Sequence, residues 1–367
     1  MKEQKLKVAI IIPGGVGTGK NNIGVPVLES LIRLMSRDSK VTVFQLYRKN
    51  KSYQPSGFEF IDIYSKLPVI KSLKFAWSFW KVQRKTKFDV VHGFWAFPCG
   101  FLAALAGKIF QVKSVISLQG GDAISLPEIK YGQLYKWLSR KLVLWALHRV
   151  DVLVSPTQYL VHNLQKFGFN RKDIKYIPLG VDISLFMFRN KSLGQPIQFL
   201  HIANLHPVKD QVTLLKAFQI ISNQVACHLT IIGEGIWERK IKLLAKELKI
   251  SGMISFLAPI TYEDLPPVYY QSDVLLHTSL SEGHPIVVEE AMSCGVVVCG
   301  TKVGLLYDLP ECCVAVPVGD YGSLAGETLK LISDRLRMDA IRKRAHKWVT
   351  THSARWTIEN FKKIYVH

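Results

Sequence analysis

One pattern constrains this chain more than any other. A buried strand, a glycine-rich turn and an amphipathic helix open it, and the same series begins again after residue 195. Lys7–Ile12 reads KVAIII, a run with almost no polar face. A strand of that kind must be covered on both sides, which is the condition of a parallel sheet flanked by helices. Val27, Leu28, Leu31, Leu34 and Met35 then recur at helical spacing. Further strands are expected at 41–46, 58–63, 89–91, 115–118, 152–154 and 176–177, with helices between most of them, one over 135–147. The second series places strands at 199–203, 229–232, 254–257, 274–276, 296–299 and 314–316, with helices near 211–224, 236–248, 263–271 and 286–294. After Ser323 the pattern is helical. Such alternation means an α/β chain with two doubly wound, Rossmann-like domains. Leu179–Pro196 has no strong periodicity and carries Gly180, Gly194 and Pro196, so it reads as the linker.

The length, 367 residues, suits two domains. The charge is uneven. Residues 1–180 carry 28 basic and 10 acidic side chains, and residues 181–367 carry 20 and 18, so +18 of the net +20 lies in the first half. An excess of that size suggests an anionic partner for the N-terminal half: nucleic acid, an acidic substrate or a membrane surface. The basic residues are scattered and no RRM, KH or helix-turn-helix pattern accompanies them, which argues against nucleic acid. The six cysteines form no CxxC pair and no zinc-site cluster, as fits a reducing compartment. The apolar core at the N-terminus, Val8–Ile12, is too short for a signal peptide. The longest uncharged apolar run, Gly93–Gly107, falls short of the ~20 residues a spanning helix needs and reads as a loop plus a buried helix. A soluble or membrane-peripheral protein is expected.

Two glycine-bearing turns carry chemistry. Gly14-Gly15-Val16-Gly17-Thr18-Gly19-Lys20-Asn21 follows the first strand and matches the P-loop pattern except at Asn21, where a hydroxyl should hold magnesium. No strand ending in a suitable aspartate accompanies it. A phosphate-cradling turn of another kind, or a tight turn with no ligand, fits as well. The second is Ser281-Glu282-Gly283-His284-Pro285-Ile286-Val287-Val288-Glu289-Glu290-Ala291-Met292-Ser293-Cys294-Gly295, after the strand at 274–276. Gly283 lets backbone approach a ligand, Pro285 suits the start of a helix, and Gly295 suits its end. Amides at residues 284–287 would face the carboxyl edge of the sheet, where phosphate binds well. Carboxylates at Glu282 and Glu290 suit paired hydroxyls of a sugar and a ribose. The alternative is that they complement the helix dipole or are solvated.

Glu282-x7-Glu290 followed by Ala-Met-x-x-Gly resembles the signature of family 4 of the retaining nucleotide-sugar glycosyltransferases, of the bacterial surface-polysaccharide type. Other motifs follow in order. Asn204-Leu205-His206-Pro207-Val208-Lys209 resembles the family's G-R-L-x-x-x-K segment, with Lys209 at the diphosphate-binding lysine and Asn204 where arginine is usual. Ile231-Ile232-Gly233-Glu234-Gly235 resembles its I-x-G-x-G turn, and Gly304 and Gly319-Asp320 sit at family-like positions. Pro13-Gly14-Gly15-Val16 resembles its P-G-G-V loop, in which Gly15 would lie against the donor. Leu179-Gly180-Val181-Asp182 with Phe186 resembles its hinge motif. Gln119-Gly120-Gly121-Asp122 resembles H-G-x-D, with Gln119 in place of histidine. His92 lies in the region of another site histidine, although a packed or solvated histidine fits equally.

The resemblance implies the GT-B fold, two Rossmann-like domains facing each other across a cleft. They would be an acceptor domain at 1–180, a donor-nucleotide domain at 181–350 and a C-terminal helix at 351–367 crossing back. It implies transfer of a sugar from a nucleotide-diphosphate donor to a glycan or lipid-linked acceptor with retention, no cofactor and no bound metal. Glu282 and Lys209 would be catalytic. Gly15, Asn204, Lys209, Gly283, His284, Pro285, Ile286 and Glu290 would bind the donor, and His92, Gln119 and Asp122 would contact acceptor or sugar. The first alternative is a non-hydrolysing sugar-nucleotide epimerase of the same plan, followed by a nucleic-acid-binding protein or a P-loop NTPase. The basic half, with Phe75, Trp77, Phe79 and Trp80 among the lysines of 66–87, would rest on an anionic membrane, placing the enzyme on the inner face of the cytoplasmic membrane.

Overall fold

The computed structural model describes residues 5–18 and 25–366. The chain forms two compact units, Met1–Leu179 with Ala354–His367, and Gly180–Ser353. The first contains β1 (Lys7–Ile12), α1 (Pro26–Met35), β2 (Lys40–Gln45), β3 (Glu59–Asp62), α2 (Pro68–Thr86), β4 (Val90–Phe94), α3 (Phe101–Phe110), β5 (Lys113–Ser117), α4 (Trp137–Arg149), β6 (Val152–Ser155), α5 (Gln158–Gln165) and β7 (Lys175–Tyr176). The second contains β8 (Ile197–Ile202), α6 (Gln211–Ser222), β9 (Cys227–Ile232), α7 (Glu238–Glu247), β10 (Ile254–Leu257), α8 (Leu265–Gln271), β11 (Val274–His277), α9 (Ile286–Ser293), β12 (Val297–Thr301), α10 (Leu305–Asp308), β13 (Val314–Val316), α11 (Tyr321–Ser333) and α12 (Arg335–Thr351). The last helix, α13 (Ala354–Val366), belongs to the first unit.

Both sheets are wholly parallel. Their orders are β3-β2-β1-β4-β5-β6-β7 and β10-β9-β8-β11-β12-β13. In each, the order reverses beside the first strand of the unit, at β1/β4 and at β8/β11. The carboxyl ends there are where a doubly wound sheet opens a crevice for ligands. Every loop with a predicted site residue leaves one of these strand ends or that of a neighbour.

The core follows the alternation of side chains along each strand. Val91 faces the cluster built by α2 and α3, where Phe44, Phe75, Phe79, Phe88 and Phe110 pack with ring centroids 5.3–6.2 Å apart. Burying a Phe ring of this kind contributes roughly 1.5–3 kcal/mol. His92 faces the other side and meets Phe361 and Tyr365 of α13. Leu200 and Phe199 divide likewise between the two cores of the second sheet.

The strands fall within a few residues of the sequence expectation. The largest shift is at β4, expected to end at Val91 and running to Phe94. Gly93 explains it. The following turn folds so closely over the strand that a Cβ on Gly93 would lie 2.7 Å from the Cys99 carbonyl oxygen. The expected loop is a π-helical turn at Ala96–Gly100, broken at Phe97, and α3 is the buried helix after it. No strand or helix falls between β7 and β8, where the linker was read. All six cysteines are buried and unpaired. Among the described residues no helix is long and apolar enough to cross a membrane. Counted by unit, the charge is more uneven than by halves: the first unit has 31 basic and 11 acidic residues, the second 17 and 17.

Candidate functional site

The second unit builds a pocket of about 320 Å³ at the carboxyl ends of β8, β9 and β11. Its walls include Asn204, Lys209, Gly233, Glu282, His284 and Ile286. After β8 the chain makes a single tight turn at Pro207–Lys209, and Asp210 then caps α6 by accepting the Thr213 N–H at 3.3 Å. The turn is held down by two bonds: the Leu280 N–H donates to the Val208 carbonyl at 2.8 Å, and the Thr278 hydroxyl donates to the Lys209 carbonyl at 3.1 Å. Lys209 is thereby aimed at the loop after β11. Its Nζ lies 2.5 Å from Glu282 Oε1. The same oxygen accepts the Ser279 hydroxyl at 2.6 Å and lies 3.4 Å from His277 Nε2. Burial alone would raise the Glu282 carboxyl, but the Lys209 ammonium and the His277 ring outweigh it and hold the group well below the usual carboxylate range.

Gly233 must be glycine. Its φ is +148°, and a Cβ would stand 2.0 Å from the Ala203 carbonyl oxygen. Pro285 takes the cap position rather than the first helical turn, and α9 begins at Ile286. The amides of that first turn point outward from the positive end of the helix dipole, beside the lysine. His284 Nε2 lies 2.8 Å from Glu289 Oε1, both side chains buried, while His284 Nδ1 and Glu289 Oε2 have no hydrogen-bond partner among the described residues. Asn204 is exposed at the pocket, and its carbonyl accepts from Gln211 Nε2 at 3.0 Å. Glu290 does not line the pocket. It turns inward, where Oε2 accepts the Tyr269 hydroxyl at 2.5 Å. Burial, opposed by that hydrogen bond and reinforced by Glu289, raises its carboxyl to about 7.

In the first unit the expected contact residues separate. His92 is fully buried, with Nδ1 2.6 Å from the Tyr365 hydroxyl, Nε2 2.8 Å from Ser117 Oγ and its ring stacked on Phe94. Both nitrogens are occupied, and His92 packs as a core histidine that pins α13 to the sheet, the alternative that the sequence left beside the contact reading. Burial pushes it down to about 3, which keeps it neutral. Asp122 is buried and accepts the amides of Ala96 at 2.7 Å, Gly120 at 2.7 Å and Gln119 at 3.2 Å, so it knits the loops after β4 and β5 together. Gln119 is half-buried, and its Nε2 has no hydrogen-bond partner among the described residues. Gly15 (φ +105°) donates its amide to Thr18 Oγ1 at 3.1 Å, so the turn supports itself. The P-loop-like residues Gly19, Lys20 and Asn21 lie outside the described residues.

Sequence reasoning missed His277, Ser279, Tyr269 and the pairing of His284 with Glu289. His277 alone left a signal, as a polar residue ending the apolar strand VLLH at the ligand edge of its sheet.

Two parallel doubly wound, Rossmann-like units are the plan of the GT-B fold, and solved glycosyltransferases of that fold superpose on the chain. The family comparisons refine this: residues 182–348 match the glycosyl transferases group 1 and residues 25–185 match glycosyltransferase family 4. The chain belongs to the family 4/group 1 glycosyltransferases and is an enzyme of transferase class EC 2.4. The N-acetyl-alpha-D-glucosaminyl L-malate synthase of Bacillus anthracis is 25% identical to it, over 90% of this chain and 88% of that protein. Among solved structures, a sucrose-phosphate synthase from Thermosynechococcus elongatus superposes with a TM-score of 0.81 at 17% identity, covering 98% of each chain. The Anabaena protein HepE in complex with UDP and glucose gives 0.78 at 16%, covering 98% of this chain and 99% of that one.

Proposed function

We propose that this glycosyltransferase moves a sugar from a nucleoside-diphosphate donor to a hydroxyl of a glycan or lipid-linked acceptor. The transfer retains anomeric configuration, needs no metal, and serves surface-polysaccharide or glycolipid synthesis at the inner face of the cytoplasmic membrane. The observation that carries the reading is the Lys209–Glu282 pair set beside the first turn of α9 in one pocket. A departing nucleoside diphosphate develops negative charge. Lys209 and the α9 amides supply the cation and N–H dipoles to stabilise it, work that a metal does in other enzymes. Glu282, held ionised, accepts hydroxyls of the transferred sugar. In a same-face displacement the bond from the anomeric carbon to the phosphate oxygen breaks as the bond to the acceptor oxygen forms, and the acceptor's proton passes to the leaving phosphate oxygen. Retention follows without a covalent enzyme intermediate.

Thermal stabilisation by nucleotides tests the reading. A ligand at 100 times its dissociation constant adds about 2.7 kcal/mol. UDP is the first nucleotide to try, since HepE was solved with UDP and glucose. A rise in melting temperature with one nucleotide, lost in Lys209→Ala, supports the site. No rise with UDP, GDP, ADP or their sugars would sink it.

A further inference from the structure

Helix α9 begins differently from its neighbours. In the same unit Asp210, Asp320 and Asp334 cap α6, α11 and α12, their carboxylates accepting the amides of Thr213, Ser323 and Arg337 at 3.3, 2.9 and 2.9 Å. The cap position of α9 is Pro285, and among the described residues no side chain caps it. An uncapped first turn keeps its N–H groups for a ligand, but it lacks the side-chain bond that fixes where a helix starts. The segment leading into it holds Gly283, which has no Cβ to restrict its backbone. Yet Glu282, Pro285 and Ile286 all line the pocket, so this segment sets the pocket's shape.

One side-chain pair supplies the missing restraint. His284 Nε2 meets Glu289 Oε1 at 2.8 Å, and the two side chains are 1% and 0% exposed. His284 stands just before the helix and Glu289 in its first turn, so the contact closes a ring of chain around Pro285. Inside that ring the Val288 N–H donates to the Pro285 carbonyl at 2.9 Å. The turn at Gly304 closes on the same segment: a Cβ there would stand 3.0 Å from Glu282 Cβ and 3.1 Å from Pro285 Cδ. As core filling the pair is poor. His284 Nδ1 and Glu289 Oε2 are buried without hydrogen-bond partners among the described residues, and each such atom costs stability that an apolar pair of the same shape would not. What the bonded pair adds over an apolar one is a fixed direction, because a hydrogen bond tolerates only a narrow range of distance and angle.

We propose that His284 and Glu289 are positioning residues for the donor. Their buried bond takes the place of a helix cap, fixes the start of α9, and so holds Glu282 and the first α9 amides at the spacing that a nucleoside diphosphate and its sugar require. Both side chains act through the backbone they hold, since neither reaches solvent. The proposal rests on the donor-site reading above and deepens it by naming the pair that sets the geometry of that site.

Calorimetric titration of the full chain with UDP, GDP and ADP tests it, followed by the same titration of three variants with the nucleotide that the wild type binds. Glu289→Gln keeps an acceptor oxygen for His284 and should bind nearly as the wild type does. Glu289→Met removes the acceptor at similar volume. It should melt earlier, because His284 is left unpaired, and bind roughly 10–100-fold more weakly, the equivalent of one charge-assisted hydrogen bond to phosphate. His284→Leu with Glu289→Met separates positioning from packing. Replacing both partners by apolar groups is close to neutral for stability, so the melting temperature should return to the wild-type value while nucleotide affinity stays as weak as in Glu289→Met. Two results would overturn the proposal: a double variant that binds nucleotide as the wild type does, or equal affinities of Glu289→Gln and Glu289→Met. Either result with normal binding by the wild type defeats this proposal and leaves the donor site standing. A wild type that binds none of the three nucleotides defeats the donor-site reading, and this proposal with it.

Discussion

Lys209 Nζ and Glu282 Oε1 are 2.5 Å apart although 73 residues separate them in the chain. In the proposed mechanism the pair would join the group that stabilises the leaving diphosphate to the group that holds the sugar, so a change to one is expected to disturb the other. Removing a preorganised donor of this kind costs roughly 10²–10³ in turnover, and Lys209→Ala should fall in that range. It should also release the Glu282 carboxyl from its strongly acidic state. The two substitutions are therefore expected to be non-additive: Lys209→Ala with Glu282→Gln should be no more than about ten-fold worse than the poorer single variant. Steady-state transfer rates for both singles and the double decide this. Full multiplication of the two defects would show that the residues act separately.

Glu290 gives a pH signature. Its carboxyl is raised to about 7, first by burial and then by Glu289, against the Tyr269 hydrogen bond. The folded-state value lies above the unfolded one, so folding favours the protonated form. That contribution is complete below about 4.5 and lost as pH rises through about 7. Its size is up to about 3 kcal/mol. Melting temperatures of wild type and Glu290→Gln should therefore diverge with rising pH, with the wild type losing ground across that interval. If Glu290 turns outward to hold a ribose, nucleotide should restore the wild type at pH 7 and leave Glu290→Gln unaffected. Parallel melting curves at all pH values would remove both the buried-acid account and the ribose role.

Much of this was legible in the sequence, for reasons particular residues make plain. KVAIII at Lys7–Ile12 admits only a strand covered on both faces, and Glu282 through Gly295 carries its own start and stop signals. His92 shows where legibility ends. The sequence reads the strand as ending at Val91, one residue before it, whereas β4 runs on to Phe94, and its partner Tyr365 arrives from 273 residues away, on a helix whose packing no local pattern specifies. Helix α2 is the intermediate case. Composition marks it as aromatic and basic, yet the division of phenylalanines inward and tryptophans outward depends on Phe44 and Phe110 of other elements. Glu290 is legible as a helical carboxylate, but its inward turn is not, because the Tyr269 hydroxyl that it meets lies on α8.

Gly233 tests whether the donor pocket depends on backbone approach. Gly233→Ala places a methyl 2.0 Å from the Ala203 carbonyl oxygen at a φ of +148°. Neither strand end can retreat without breaking its ladder, so the variant should lose more than the ~1–3 kcal/mol of a simple conformational outlier and should lose nucleotide stabilisation with it. Gly57→Ala is the control: its φ is +86°, and an added Cβ meets nothing within 4 Å. It should cost only the left-handed penalty of about 1–2 kcal/mol and leave nucleotide binding intact. Equal effects of the two substitutions would show that the close approach at Gly233 is not what shapes the pocket.

His92 and Tyr365 should matter to stability and not to acceptor affinity. His92→Phe keeps the ring and its stack on Phe94 but leaves the Tyr365 hydroxyl and Ser117 Oγ without their partner, at about 1–3 kcal/mol for each buried group left unsatisfied. Tyr365→Phe removes one of those bonds and should cost less. The burial that holds His92 down to about 3 also fixes a pH window. A histidine depressed in the folded state contributes stability that is complete above its unfolded value near 6.5 and declines as pH falls toward about 3, because the unfolded chain takes up a proton the folded one refuses. Wild type should therefore lose stability on acidification more steeply than His92→Phe, and hydrogen exchange along α13 should accelerate in the variant at neutral pH. The opposite pattern, an unchanged melting temperature with a raised acceptor KM, would return His92 to the substrate and contradict its place in the core.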